Sequence, residues 1–262
     1  MSVPLILSLA LGTASAAEPE TATPSPEPAP TACDAAIVEA NDRDLPADQL
    51  NALGMRCYKE KRYNDAGMLF FDALKRDENH ALANYNLACV IGLLLQTQGP
   101  CDMEYSWEAA PEYLRRAVAK DPKRAARARV DSDLDSLRSM MAFRLAVEGE
   151  PKTAQQTANL YDGATLWGDT PGVATMAEVR FARTHPTALS GTVSGWFLDR
   201  GTFEQVPASG TWRAEGPTII VDWAARTSPE GTNPGSTETI RLDEMNRYGH
   251  GGWFTMPDWC SA

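Results

Sequence analysis

The chain is poor in histidine, in positive charge and in long apolar runs, and each shortage removes a class of function. Its 262 residues include three histidines, His80, His185 and His250, so imidazole chemistry has few places to act. His80 falls at a junction between helical segments, and His185 precedes Pro186, where a turn is expected. His250 sits in Tyr-Gly-His-Gly-Gly-Trp, whose glycines would let backbone approach a ligand, although a loop histidine between two strands explains it as well. No phosphate loop, His-Glu-x-x-His or Gly-x-Gly-x-x-Gly occurs. Gly191-Thr-Val-Ser-Gly195 places Ser194 one position too late for a nucleophile elbow. No set of acid, base and nucleophile emerges, so the chain is expected not to be an enzyme. No Cys-x-x-Cys and no His/Cys spacing suggests zinc, and neither a metal nor a cofactor is expected.

Positive charge is outnumbered throughout. Lys and Arg total 24 against 35 Asp and Glu, a net charge of −11. That charge divides into −3 before Cys33, −3 over 33–149 and −5 over the remainder. An acidic surface excludes nucleic acid and anionic membrane as main partners, because both reward clustered Lys and Arg. The N-terminal apolar run, Val3 to Leu11, is nine residues, too short to cross about 30 Å of hydrocarbon. Followed by Ala14-Ser15-Ala16, it has the pattern of a secretory signal over residues 1–16 that is cut before Ala17, though no Lys or Arg precedes the run. Residues 17–32 hold five prolines and no large apolar side chain, the composition of an extended tether. The product is expected in the periplasm or outside the cell.

What remains is long enough for two domains, each with its own core, and the hydrophobic period divides it accordingly. Residues 33–149 are helical in pattern. In Leu50 to Asn79, Leu53 and Gly54 stand together, followed at helical spacings by Ala66, Phe70 and Ala73. Small residues at Gly54 and Ala66 let two helices touch while Leu53 and Phe70 fill the seam. A second set, Leu87 and Ala88 with Ala110, Leu114, Ala117 and Pro122, follows after an insertion of ten residues around Gln96 to Tyr105. Residues 47–122 therefore resemble two tetratricopeptide repeats, a family of helix hairpins with a period of about 34 residues. Cys57 and Glu78 stand where that family has an aromatic residue and a proline. Lys123 to Val130 could open a third repeat, and Val130 to Val147 is expected to form an irregular closing helix over the open end.

The resemblance implies a concave groove that holds an extended peptide or a partner's helix. Its lining would be Asp48, Asn51, Met55, Tyr58 and Lys59 from the first repeat, then Leu82, Tyr85, Cys89, Gly92 and Leu93 from the second, with Arg124 and Arg127 beyond. Asn86 and Arg124 match the carboxylate clamp of some members, whereas Asn51, Met55 and Ala128 do not, so a full clamp is not expected. The one basic cluster runs through Arg115, Arg116, Lys120, Lys123, Arg124, Arg127 and Arg129. It could receive an acidic peptide, or it could be a solvated face neutralising a helix C-terminus.

Five cysteines leave at least one unpaired. Export favours disulfides. Cys89 and Cys101 flank the insertion closely enough to bridge and fold it across the groove mouth, and Cys33 with Cys57 is a second pair, which would leave Cys260 over. The rival reading keeps Cys57 and Cys89 as small buried side chains.

From residue 162 to 262 the period shortens. Alternating runs such as Ala177-Val179-Phe181 and Ile219-Val221-Trp223 are separated by Gly, Pro, Asn and Asp, the pattern of strands with one wet face. About eight candidates, from Ala164–Trp167 to Gly252–Met256, predict an antiparallel meander closed into a small barrel or sandwich. Six tryptophans, at 167, 196, 212, 223, 253 and 259, either fill its core or stack against a sugar or an apolar ligand. The fold expected is thus α+β in two domains. The function expected is a non-enzymatic scaffold that binds a protein or peptide through its helices, with a small-ligand or glycan-binding β domain as the alternative.

Overall fold

The computed structural model describes residues 29–99, 105–170, 174–199, 201–202, 204–228 and 231–241. The segment expected to be a signal, most of the expected tether, Cys101, His250, Cys260 and the strand candidate at 252–256 lie outside them. The chain is α+β, with helices first and an antiparallel sheet after. The described residues from Thr31 onward cluster as one compact unit.

Thr31 starts the first helix, α1 (Ala32–Asp42), by a reciprocal cap: its hydroxyl accepts the Asp34 N–H at 3.2 Å while the Asp34 carboxylate accepts the Thr31 N–H at 2.9 Å. Both groups would otherwise be orphaned at a helix end. After Pro46 come α2 (Ala47–Lys59) and α3 (Tyr63–Arg76), joined by a three-residue turn, Glu60–Arg62. They pack where the sequence is small: a Cβ on Gly54 would meet the Phe70 ring at 2.6 Å. The fourth helix, α4 (Ala81–Gln98), packs on α3, and α5 (Ala110–Lys120) packs on α4. The expected third helix is only six residues, α6 (Lys123–Ala128). The closing helix expected over Val130 to Val147 is broken into a 3-10 turn, Ser132–Leu137, and α7 (Met141–Glu148). Asp131, Ser132, Asp133 and Asp135 explain the break, since their short polar side chains compete for the backbone bonds a helix needs. Asp131 itself caps the turn.

A disulfide joins Cys33 of α1 to Cys57 of α2. It is one of the two pairs expected from the sequence. Cys89 is a free, buried thiol, and its expected partner, Cys101, lies outside the described residues. Cys89 lies on the face of α4 against Asp131 and Asp133.

Thr153 caps the last helix, α8 (Ala154–Tyr161), and six strands follow in one sheet. They are β1 (Thr165–Thr170), β2 (Ala174–Arg183), β3 (Ser190–Leu198), β4 (Gln205–Glu215), β5 (Thr218–Trp223) and β8 (Ser236–Arg241), each antiparallel to the next. A small hairpin, β6 (Arg226–Ser228) with β7 (Gly231–Asn233), interrupts the meander before β8. Of two neighbouring candidates among the eight expected, Thr202–Val206 and Gly210–Ala214, β4 takes in Gln205 and Val206 of the first and the whole of the second. Among the described residues the sheet is a single layer with β1 and β8 at its edges, rather than a closed barrel or a sandwich. No second sheet is needed because α8 covers its inner face: Ala158, Leu160 and Tyr161 join Phe181, Trp212 and Val221 in one core.

The two hydrophobic cores meet along α7. Phe143, Ala146 and Val147 belong to the helical core and Met141 to the sheet's. Arg144, between them, donates to the carbonyls of Leu160 and Asp162 at 2.8 and 2.6 Å, satisfying the end of α8.

Candidate functional site

Spacing on α4 sets the site. Tyr85, Cys89 and Gly92 are four and three residues apart, which places them on one helical face. Tyr58, near the end of α2, and Arg124 and Arg127, on α6, complete its sides. The face does not look onto open solvent. The acidic turn that begins at Asp131 lies against it, and a Cβ on Gly92 would overlap the Asp133 carbonyl oxygen. Glycine is therefore what lets the turn sit on the helix. Ser136 Oγ donates to the Gly92 carbonyl at 2.8 Å, and Gln96 Nε2 to the Ser132 carbonyl at 3.0 Å. Leu134 and Leu137 enter the helical core.

Polar contacts converge on the two aspartates. Tyr85 Oη donates to Asp131 Oδ2 at 2.8 Å, and Arg127 Nε donates to the same oxygen at 2.9 Å. Tyr58 Oη donates to Asp133 Oδ2. The Arg124 guanidinium stacks 5.3 Å from the centre of the Tyr85 ring, an arrangement that attracts cation to ring face. Tyr85 and Asp131 are buried, at 4 % and 7 % exposure, and Tyr58 and Asp133 are half-buried. Burial raises the pKa of both phenols, reinforced by the carboxylates they face, so both hydroxyls are firm donors. Burial likewise pushes the Cys89 thiol up, with Asp131 and Asp133 adding to the effect. The Cys89 sulfur and one carboxylate oxygen of each aspartate lie within 4.8 Å of one another.

The residues expected to line a groove are thus brought together in part. Tyr58, Tyr85, Cys89, Gly92, Arg124 and Arg127 gather, but around the chain's own turn. Asn51 is buried instead of facing a guest, and its carbonyl oxygen accepts from Asn86 Nδ2 at 2.9 Å. These two amides tie α2 to α4. Met55 is half-buried against the helical core, and Lys59 is exposed. The basic cluster is also largely engaged. Arg115 and Arg116 pair with Glu112, Arg124 with Asp121, and Arg129 with Glu148.

Among the histidines, His80 caps α4: its Nδ1 accepts the Ala83 N–H at 3.0 Å, which leaves the proton on Nε2 for Asp48 at 2.8 Å. His185 bonds Thr187. The tryptophans with a described environment are divided. Trp212 and Trp223 are buried in the sheet's core, whereas Trp196 is half-buried.

Asp131 and Asp133 escaped the sequence reading because their segment was taken as helix. The alternation Asp-Ser-Asp-Leu-Asp-Ser is the signal that points to a capped turn instead. Comparison with known families, with characterised proteins and with solved structures gives no match. The arrangement has to be interpreted from its own chemistry.

Proposed function

We propose that the chain is an exported, non-catalytic interaction scaffold: a short tetratricopeptide-like array, followed by a β domain, that takes an acidic peptide or protein segment on the face formed by α2, α4 and α6. The observation that carries this reading is the hold of Tyr58, Tyr85 and Arg127 on Asp131 and Asp133. A hydroxyl pair and a guanidinium, placed around a short acidic segment, are the chemistry that carboxylate recognition uses. In cis the turn occupies this face, so a guest must displace it. A tethered segment competes at an effective concentration of about millimolar, which would make the exchange weak and reversible unless the partner offers more contacts.

Export is supported by the disulfide between Cys33 and Cys57, which belongs to an oxidising compartment. No described helix is long and apolar enough to cross a membrane. The glycan alternative loses support where Trp212 and Trp223 are spent on the core.

A labelled peptide with the chain's own sequence, Arg-Val-Asp-Ser-Asp-Leu-Asp-Ser-Leu-Arg, tests the reading. It should bind the double variant Asp131→Ala/Asp133→Ala, whose cis turn has lost its hold, about tenfold or more tighter than the unaltered chain. Adding Arg127→Ala should abolish that gain. Absence of binding to either protein, or binding indifferent to Arg127, rejects the reading.

A further inference from the structure

The Cys89 thiol is the buried reactive group that nothing else in the fold uses. It is free and 4 % exposed, and no described residue makes a hydrogen bond with it. A free cysteine in a dry apolar core needs no explanation, but this one is directed at two carboxyl groups. Asp131 and Asp133 arrive from a turn some forty residues on in the chain, as a single acidic pair laid across α4. Among the described residues, Arg127 is the one cation in ion-pair contact with the trio, and its side chain is 67 % exposed. An acidic pair collected against a buried sulfur, with one solvated counter-charge, is an arrangement that a bound cation would stabilise.

The surroundings fit that occupant. Ligating carboxylates are usually oriented by hydrogen bonds from an outer shell. Here Tyr85 and Arg127 hold one oxygen of Asp131, and Tyr58 holds one oxygen of Asp133. No described residue donates to Oδ1 of Asp133. One sulfur with two carboxylate oxygens suits a borderline divalent ion of the zinc class. Calcium and magnesium prefer all-oxygen shells with more ligands, and copper(I) prefers further sulfur. Bonds of about 2.3 Å to sulfur and about 2.1 Å to oxygen bring ligand atoms somewhat closer than their present limit of 4.8 Å, an adjustment within reach of side-chain rotation. Asp133 and Tyr58, half-buried, mark the side from which an ion enters.

We propose that Cys89, Asp131 and Asp133 form a site for one divalent cation of the zinc class, with water completing its coordination. Binding releases the thiol proton to solvent and leaves a thiolate on the metal. The ion would fasten the acidic turn to α4. This assignment does not depend on peptide binding at the same face, because the three ligands belong to one chain whether or not a guest ever displaces the turn.

Cobalt(II) serves as the probe, added to the full chain stripped of metal with the Cys33–Cys57 disulfide intact. One equivalent should produce thiolate-to-cobalt charge-transfer absorption, and one equivalent of zinc should remove it. The band should vanish in Cys89→Ser, and zinc affinity should fall about tenfold or more in Tyr58→Phe, which removes only the outer-shell donor. No band in the unaltered chain overturns the assignment, as does a band that persists in Cys89→Ser and so reports Cys101 or Cys260. Should Cys89→Ser fail to fold, Asp133→Asn, at a half-buried position, decides the matter: lost zinc affinity upholds the site and unchanged affinity overturns it.

Discussion

The helical and sheet halves bury themselves by opposite means. Helices α2 to α5 close on small residues, with Gly54 under Phe70 and Ala66, Ala73, Ala88 and Ala117 fully buried, and their inner face is finished with polar groups. The sheet closes on rings: Tyr161 meets Phe181 edge-on at 5.4 Å, Phe181 meets Trp212 at 6.1 Å, and Phe197 meets Trp223 at 5.3 Å. Ring packing needs no specific polar partner and stabilises by area. Closing a face with aspartates, tyrosines and a thiol requires each polar group to find a partner. Where a fold retains such a face, its chemistry is the first place to look for function. That is why the candidate site lies in the helices, even though most tryptophans lie in the sheet half.

The strongest way to break this contrast is to remove the central ring of the sheet. Trp212 is 1 % exposed, and its Nε1 donates to the Thr192 carbonyl at 3.1 Å. Trp212→Ala should cost about 3–5 kcal/mol, the usual range for deleting a buried large aromatic. Because α7 contributes to both cores, the helices should melt with the sheet, so that far-ultraviolet circular dichroism and tryptophan fluorescence give coincident urea transitions. Helical signal persisting after the fluorescence change would show instead that the two cores are independent.

A change at Gly92 asks the same of the helical face, with a smaller expected effect. Its missing side chain leaves room for the Asp133 carbonyl, so Gly92→Ala overpacks the seam at a cost of about 1–3 kcal/mol. The penalty should fall on the turn from Asp131 to Leu137, seen as faster amide exchange there, while sheet amides keep their protection. Uniform loss of protection across both halves would mean that the turn is not a separable layer.

How much of this was legible beforehand follows from how local each signal is. Tyr85, Cys89, Arg124 and Arg127 could be picked only through the resemblance to tetratricopeptide repeats, which implies the positions that line a groove. The strands of the sheet were visible in alternation, although Pro207 and Ser209 hid the continuity of β4. What faced the helix was not legible. Asp131 and Asp133 are joined to Tyr58 and Tyr85 only through tertiary packing, and the turn that carries them was mistaken for helix. Closure of the sheet by α8 was hidden too, since its short apolar set, Ala158, Leu160 and Tyr161, gives little sign of which surface it will cover. The surroundings of Cys89 belong with these, because nothing in α4 itself shows that Asp131 and Asp133 come to face its thiol.

The smallest effect expected concerns how the first helix is fastened. Besides the disulfide, α1 is held by Asp34, which pairs with Arg62 at the start of α3. The Arg62 guanidinium, with the Thr31 N–H and hydroxyl, holds the Asp34 carboxyl at about 2, below its ordinary 3.8. A carboxyl whose folded value is lowered contributes stability above its unfolded value and loses it as pH falls through the folded one. The contribution should therefore be whole at neutral pH, begin to fade below about 3.8 and be gone below about 2. Asp34→Asn should lower the melting temperature slightly at pH 7, because the pair is solvent-exposed, and the gap between the two proteins should close as acid is added. Melting curves recorded across that window check this directly. A gap that stays constant from neutral pH into acid would show that the cap alone, without the charge, fastens α1 to the array.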